Sequence, residues 1–153
     1  MVELVAKAKM LIQRPAVEVF DAFVQPSSIT RFWLARTTGP LGINAEVEWE
    51  FLVPGATERV SVKSFVEPRH IAFVWLKGKL NVDIRISDED ESISTVSVEV
   101  RGFEPKESSL AQVVNATEGF AIVLCDLKTF LESGRSANLV RDKAALIHRE
   151  QAS

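Results

Sequence analysis

The first hydrophobic pattern along the chain has a period of two. Leu4, Ala6, Ala8, Met10 and Ile12 alternate with Val5, Lys7, Lys9 and Leu11, which predicts a strand with one buried face. Pro15 then stands where a helix can begin. Val17, Phe20, Ala22, Phe23 and Val24 cluster on one side of about three turns, predicting a short helix that ends near Gln25. Pro26 restarts the chain, Ser27 or Ser28 can accept bonds from free backbone amides, and 27–33 reads as a second helix of about two turns. A helix that short has little stability of its own, so Phe32 and Trp33 at its end must be held by packing.

From Ala45 the alternation returns. Val47, Trp49, Phe51 and Val53 alternate with Glu46, Glu48 and Glu50; Pro54-Gly55 turns the chain; Val60, Val62 and Val66 resume the pattern. After Glu67-Pro68 come Ile71, Phe73 and Trp75, a Lys77-Gly78 turn, then Leu80, Val82, Ile84 and Ile86. The acidic run at 88–91 reads as a solvated hairpin tip leading into Val96, Val98 and Val100. These segments predict five strands in an antiparallel meander, six with the first strand.

Beyond Phe103-Glu104-Pro105 the period becomes helical. Leu110, Val113, Val114, Thr117, Phe120, Ala121, Leu124, Leu127 and Leu131 fall on one broad face, and Gly134 stops the run. One long amphipathic helix over a sheet with one apolar face is an α+β solution. The expected organisation is a single domain over 1–134. Residues 135–153 form a C-terminal tail or extra helix, with only Val140, Ala144 and Ile147 at helical spacing, and a frayed tail is the expected outcome.

Composition narrows the partners. The 153 residues are enough for one substantial core, and a net charge of -3 gives no electrostatic argument for nucleic acid or anionic lipid. Cys125 stands alone, so no internal disulfide forms and a cytoplasmic location is expected. No stretch reaches the roughly 18 apolar residues of a membrane span, and the alternating opening residues do not read as a signal peptide. His70, His148 and Cys125 lack metal-ligand spacing, and neither a metal nor another cofactor is expected.

The stretch Ile12-Gln-Arg-Pro-Ala-Val-Glu-Val-Phe-Asp-Ala-Phe-Val-Gln-Pro-Ser-Ser-Ile-Thr-Arg-Phe-Trp33 resembles the opening of the Bet v 1-like superfamily, the START-related or SRPBCC group. Within it, the branch named for the activator of Hsp90 ATPase homologue is most similar. The resemblance covers about residues 3–133, including the Glu67-Pro68 turn and Glu118-Gly119-Phe120, where many members carry Gly-Trp. It implies a helix-grip: a curved six-stranded antiparallel sheet around the long C-terminal helix, with two short helices closing one end of an apolar hollow. Phe32 and Trp33 would then stand at the mouth, with Arg31 as a polar lip. Members of the group include lipid and hormone binders, cyclases, hydrolases and co-chaperone domains, so fold alone does not choose among them.

Aromatic surface on the scale of Trp49, Phe51, Phe73, Trp75 and Phe120 cannot stay wet. Each ring of about 150–250 Å² gains roughly 4–6 kcal/mol on leaving water. The rings either collapse into core or line a pocket. The residues expected to line one are Phe32, Trp33, Trp49, Phe51, Ser64, Phe73, Trp75, Ile84, Glu118, Phe120 and Leu124. Ser64, in phase with Val62 and Val66, would offer a hydroxyl, and Glu118 is the best candidate for a buried acid, although a rim position is the commoner fate of a glutamate. His70 reads as a solvated loop histidine and Cys125 as a packing residue. No converging acid and base is evident, so no catalytic residue is assigned.

The expected function is binding of a small hydrophobic ligand in an internal apolar cavity. A cyclase- or hydrolase-type enzyme using the same cavity, and a co-chaperone-like interaction module with a chaperone partner, are the alternatives. The strand edges and the tail are compatible with a homodimer.

Overall fold

A computed structural model describes residues 2–152. The chain runs β1 (Ala6–Ile12), α1 (Ala16–Val24), α2 (Pro26–Phe32), β2 (Leu34–Thr37), β3 (Glu46–Phe51), β4 (Thr57–Val66), β5 (His70–Trp75), β6 (Leu80–Asp90), β7 (Ile93–Arg101), α3 (Leu110–Ser133) and α4 (Leu139–Ala152). One antiparallel sheet holds seven strands in the order β1-β7-β6-β5-β4-β3-β2. With α3 along it, this is the expected α+β helix-grip.

The strand count is corrected from six to seven. β2 has four residues, Leu-Ala-Arg-Thr, too few for an alternating pattern to show. It is a strand because its backbone pairs with β3, Leu34 opposite Phe51 and Thr37 opposite Trp49.

The meander follows from its alternation. Ile71 stands opposite Ile84 and Ile84 opposite Val98, Phe73 opposite Val82 and Val82 opposite Val100, all buried on one face. α1 and α2 add Val19, Phe20, Phe23, Ile29 and Phe32 to the same core, while Val17 is exposed.

α3 departs from the broad face expected of it. Phe120, Val123, Leu124 and Leu127 are buried, but Leu110 and Val114 are 50% and 64% exposed. The second half lies along β1, where the Lys128 ammonium donates to the Leu11 carbonyl at 3.0 Å and the Gln13 N–H to the Glu132 carboxylate at 2.8 Å. The first half is covered only in part: Val113 and Ala116 pack against the core, while Leu110 and Val114 face outward. By length and composition alone Glu107–Ser133 would suffice to cross a membrane, as the core helices of many water-soluble folds would. Here its second half serves as the core helix, with Asp126, Lys128 and Glu132 engaged in polar contacts. Gly134 ends the helix as expected, at φ 81°, with its N–H on the Phe130 carbonyl at 2.9 Å.

Residues 139–152 are helical rather than frayed. Ala144 is buried, and α4 packs on α3 and α2. The apolar residues at helical spacing supply part of the reason, and a cap from Asp126 supplies the rest.

Candidate functional site

The ring residues converge where α2 ends, β3 and β5 end, and α3 and α4 face each other. Trp33 lies 5.0 Å from Trp49 and 5.5 Å from Phe120, centroid to centroid; Trp75 stacks on Phe120 at 5.8 Å and meets Phe51 at 5.9 Å. These offset and edge-on contacts are the favourable aromatic geometries, and each contributes about 0.5–1.5 kcal/mol beyond burial. The rings hold one another, which is why a seven-residue helix can present Phe32 and Trp33 in fixed positions.

Beside this cluster runs a groove of about 290 Å³. Trp33, Phe51 and Trp75 form one wall and the turn residues Leu52, Val53 and Ala56 another. α3 contributes Ala116, Gly119, Phe120, Ile122 and Val123, and α4 closes it with Val140, Lys143, Ala144 and Ile147. Val53, expected as a strand residue, lies instead in the turn, where the Ala56 N–H bonds its carbonyl at 3.0 Å.

Of the residues expected to line a pocket, Trp33, Phe51, Trp75 and Phe120 do so. Phe32, Trp49, Phe73, Ile84 and Leu124 do not line the groove; each is at most 2% exposed, in the packed core. Phe32 stacks on Phe130 at 6.0 Å, and Trp49 packs on Phe73 at 5.2 Å, so ring contacts fill the space these side chains were expected to leave open.

Ser64 lies on the opposite face of the sheet. A register shift between Val62 and Ser64 breaks the period of two, so Val62 pairs with Phe73 but Ser64 with Ala72. The inward position passes to Phe65, which meets Phe20 at 5.1 Å. His70 is likewise not a solvated loop residue. It opens β5, with Nδ1 3.0 Å from the Ser64 hydroxyl and Nε2 2.9 Å from Asp83, whose other oxygen meets Arg85 at 3.1 Å. A hydroxyl, an imidazole and a carboxylate in line resemble a nucleophile with its base. They lie on interior strands, and none of Ser64, His70, Asp83 and Arg85 lines the groove.

Glu118 stands at the rim, its side chain 55% exposed and its carboxylate 2.7 Å from the Lys143 ammonium. That hydrogen bond, with the charges of Glu118 and Glu150, outweighs desolvation and raises the Lys143 ammonium above the ordinary lysine value. Lys143 is therefore cationic across the neutral range.

Trp75 Nε1 is buried without a hydrogen-bond partner, which costs about 1–3 kcal/mol. Among the described residues no cluster of His, Cys, Asp and Glu is placed to hold a metal ion.

Lys143 and Asp126 were not anticipated. A lone aspartate between Leu124 and Leu127 on an apolar helix face was the available signal for the second. Nothing in the sequence pointed to Lys143, because its role depends on where α4 docks.

A sheet gripping one long helix defines, at the level of fold, the helix-grip class to which the Bet v 1-like (SRPBCC) proteins belong. Solved structures with this fold include protein SSP2350 of Staphylococcus saprophyticus, 22% identical over 86% of this chain and 94% of that one, with a TM-score of 0.76. The Aha1 dimer of Colwellia psychrerythraea is 14% identical over 89% of this chain and all (100%) of that one, with a TM-score of 0.73. DynU16, from the dynemicin biosynthetic locus, is 16% identical over 88% of this chain and 49% of that one, with a TM-score of 0.75. At these identities the likeness is one of fold. No family model and no curated protein sequence matches the chain.

Proposed function

We propose that the protein binds a small apolar molecule, without catalysing its conversion, in the groove between the 52–56 turn, α3 and α4. The observation that carries this reading is the groove wall: four aromatic rings face aliphatic side chains from two helices and a turn, and Lys143 is the one charged side chain among them. Apolar walls with few polar groups are the usual chemistry of small-molecule sites. An acid–base pair for a cyclase or hydrolase is missing from the lining residues, since Lys143 is tied to Glu118. In this reading the protein works in the cytoplasm and needs no cofactor.

The test uses Gly119. A Cβ built there meets nothing within 4 Å, so Gly119→Leu should fold while its side chain fills the groove. Native mass spectrometry of wild-type protein purified from cells is expected to show a co-purified apolar molecule that Gly119→Leu lacks. A wild type that carries nothing, and binds no added apolar probe in titration, would end this reading.

A second reading, contact with another protein or a second copy of the chain, is favoured by the exposed Leu110 and Val114 on the first half of α3. Sedimentation of wild type against Val114→Glu separates the two. A change of mass with the variant supports contact between copies, whereas a monomer in both removes that form of the reading.

A further inference from the structure

We propose that the groove selects apolar molecules carrying a hydrogen-bond acceptor oxygen, a carbonyl or carboxylate, and that the Lys143 ammonium receives that oxygen. The inference rests on the binding reading above and specifies the chemistry of the occupant. The polar side chains among the lining residues, Trp33, Trp75 and Lys143, carry donors and no acceptor, and Lys143 alone of them is charged. The other lining side chains are aliphatic or phenyl, so the wall offers no side-chain acceptor. A ligand headed by a donor finds no side-chain partner in the wall, while one headed by an oxygen finds the Lys143 ammonium.

Lys143 is fitted to this role by position and by charge. It lines the groove from α4, and its side chain is about one-third exposed (32%), so its stem lies along apolar surface while the ammonium stays near water. One of its three N–H bonds goes to Glu118 Oε1 at 2.7 Å, on a carboxylate that is itself outside the groove wall. We assign a second of its three N–H donors to an oxygen in the groove. The carboxylates of Glu118 and Glu150 both act on Lys143, which favours a neutral carbonyl over a second anion.

A matched set of naphthalenes tests this by calorimetric titration: 2-ethylnaphthalene with no acceptor, 2-acetylnaphthalene, 2-naphthoate, and 2-naphthylmethylammonium as the donor-headed cation. The acetyl compound is expected to bind about tenfold tighter than the ethyl compound, as for one well-placed hydrogen bond to a charged donor. Lys143→Met keeps the aliphatic stem, loses the ammonium and should bring that ratio toward unity. Glu118→Gln should improve naphthoate relative to the acetyl compound by removing a rim charge. Equal binding of the ethyl and acetyl compounds to wild type overturns this inference and leaves the groove reading in place. Tightest binding of the ammonium compound also overturns it, since Glu118 would then be the recognising group. Binding of none of the four removes both the inference and the reading beneath it.

Discussion

Asp126 on α3 caps α4 through Val140. The Asp126 carboxylate is buried, and its Oδ2 accepts the Val140 N–H at 3.2 Å, while Oδ1 accepts the Ser136 hydroxyl at 2.6 Å and the Thr129 hydroxyl at 3.2 Å. Val140 is the second residue of α4, so a carboxylate from another helix satisfies one of the free N–H groups at the helix start and places a negative charge there. Because α4 closes the groove, this polar joint links the packing of α3 to the shape of the candidate site.

Asp126→Ala is therefore expected to loosen α4 before anything else. Losing the capping acceptor and its hydroxyl partners should lower stability by about 2 kcal/mol. Hydrogen exchange should accelerate in 139–152 well ahead of β6 and β7. Equal acceleration throughout the chain would mean that Asp126 supports the core as a whole and not the joint.

Glu132 provides a pH dependence. Burial alone would raise its carboxyl, but the Gln13 N–H, the Lys128 ammonium and the Arg14 charge outweigh burial and hold it below its ordinary 4.5. A carboxylate with a lowered folded pKa contributes stability that is complete above the unfolded value and is lost as pH falls through the folded one. The difference in stability between wild type and Glu132→Gln should accordingly be flat at neutral pH, near 1 kcal/mol as roughly expected for partly exposed charged hydrogen bonds. It should shrink as the pH drops below about 4.5. Denaturant unfolding at several pH values measures this, and a gap that persists unchanged into strong acid would show that the carboxylate's charge is not what matters.

The two halves of α3 make opposite demands. Leu124 is fully buried, and Leu124→Ala should cost about 2–5 kcal/mol by leaving a cavity. Leu110 is half exposed, and Leu110→Ala should fall within about 0.5 kcal/mol. Thermal melts of the two variants settle it; comparable losses would imply that something covers the first half of the helix in solution.

That contrast shows where sequence reasoning works. The alternation in β5, β6 and β7 survives because each interior strand must keep one set of side chains buried, and one slipped residue would expose all of them. The α3 periodicity is equally plain, yet it says only that a face is apolar. Whether that face is covered depends on what packs against each residue, and Leu110 and Val114 are left exposed while Val113 and Ala116 beside them meet the core. Ser64 was misplaced because a one-residue bulge leaves no mark in the pattern of polar and apolar positions. Phe32, Trp49 and Phe73 read like pocket residues because large rings serve as lining and as core alike, and only their mutual contacts distinguish the two. α4 was expected as a frayed tail despite the helical spacing of Val140, Ala144 and Ile147, because its cap lies on another helix, fourteen positions before Val140 in the chain.

Two glycines make a last, opposed pair of predictions. Gly102, just after β7, has φ 108°, and a Cβ there would stand 2.8 Å from the Lys79 carbonyl oxygen, on backbone that belongs to the turn before β6. Gly102→Ala must strain its own backbone and push that turn away, so a loss well above 1 kcal/mol is expected, roughly the scale for alanine forced into a glycine conformation plus a clash. Gly119 lies inside α3 with open space around its Cβ position. Gly119→Ala should stabilise the protein by up to about 1 kcal/mol through helix propensity while narrowing the groove by one methyl group. Measured side by side in denaturant, the two variants should move in opposite directions. If Gly119→Ala also destabilises, the space beside it is occupied in solution, and native mass spectrometry then separates a bound apolar molecule, which keeps the binding reading, from a groove closed by its own side chains, which ends it.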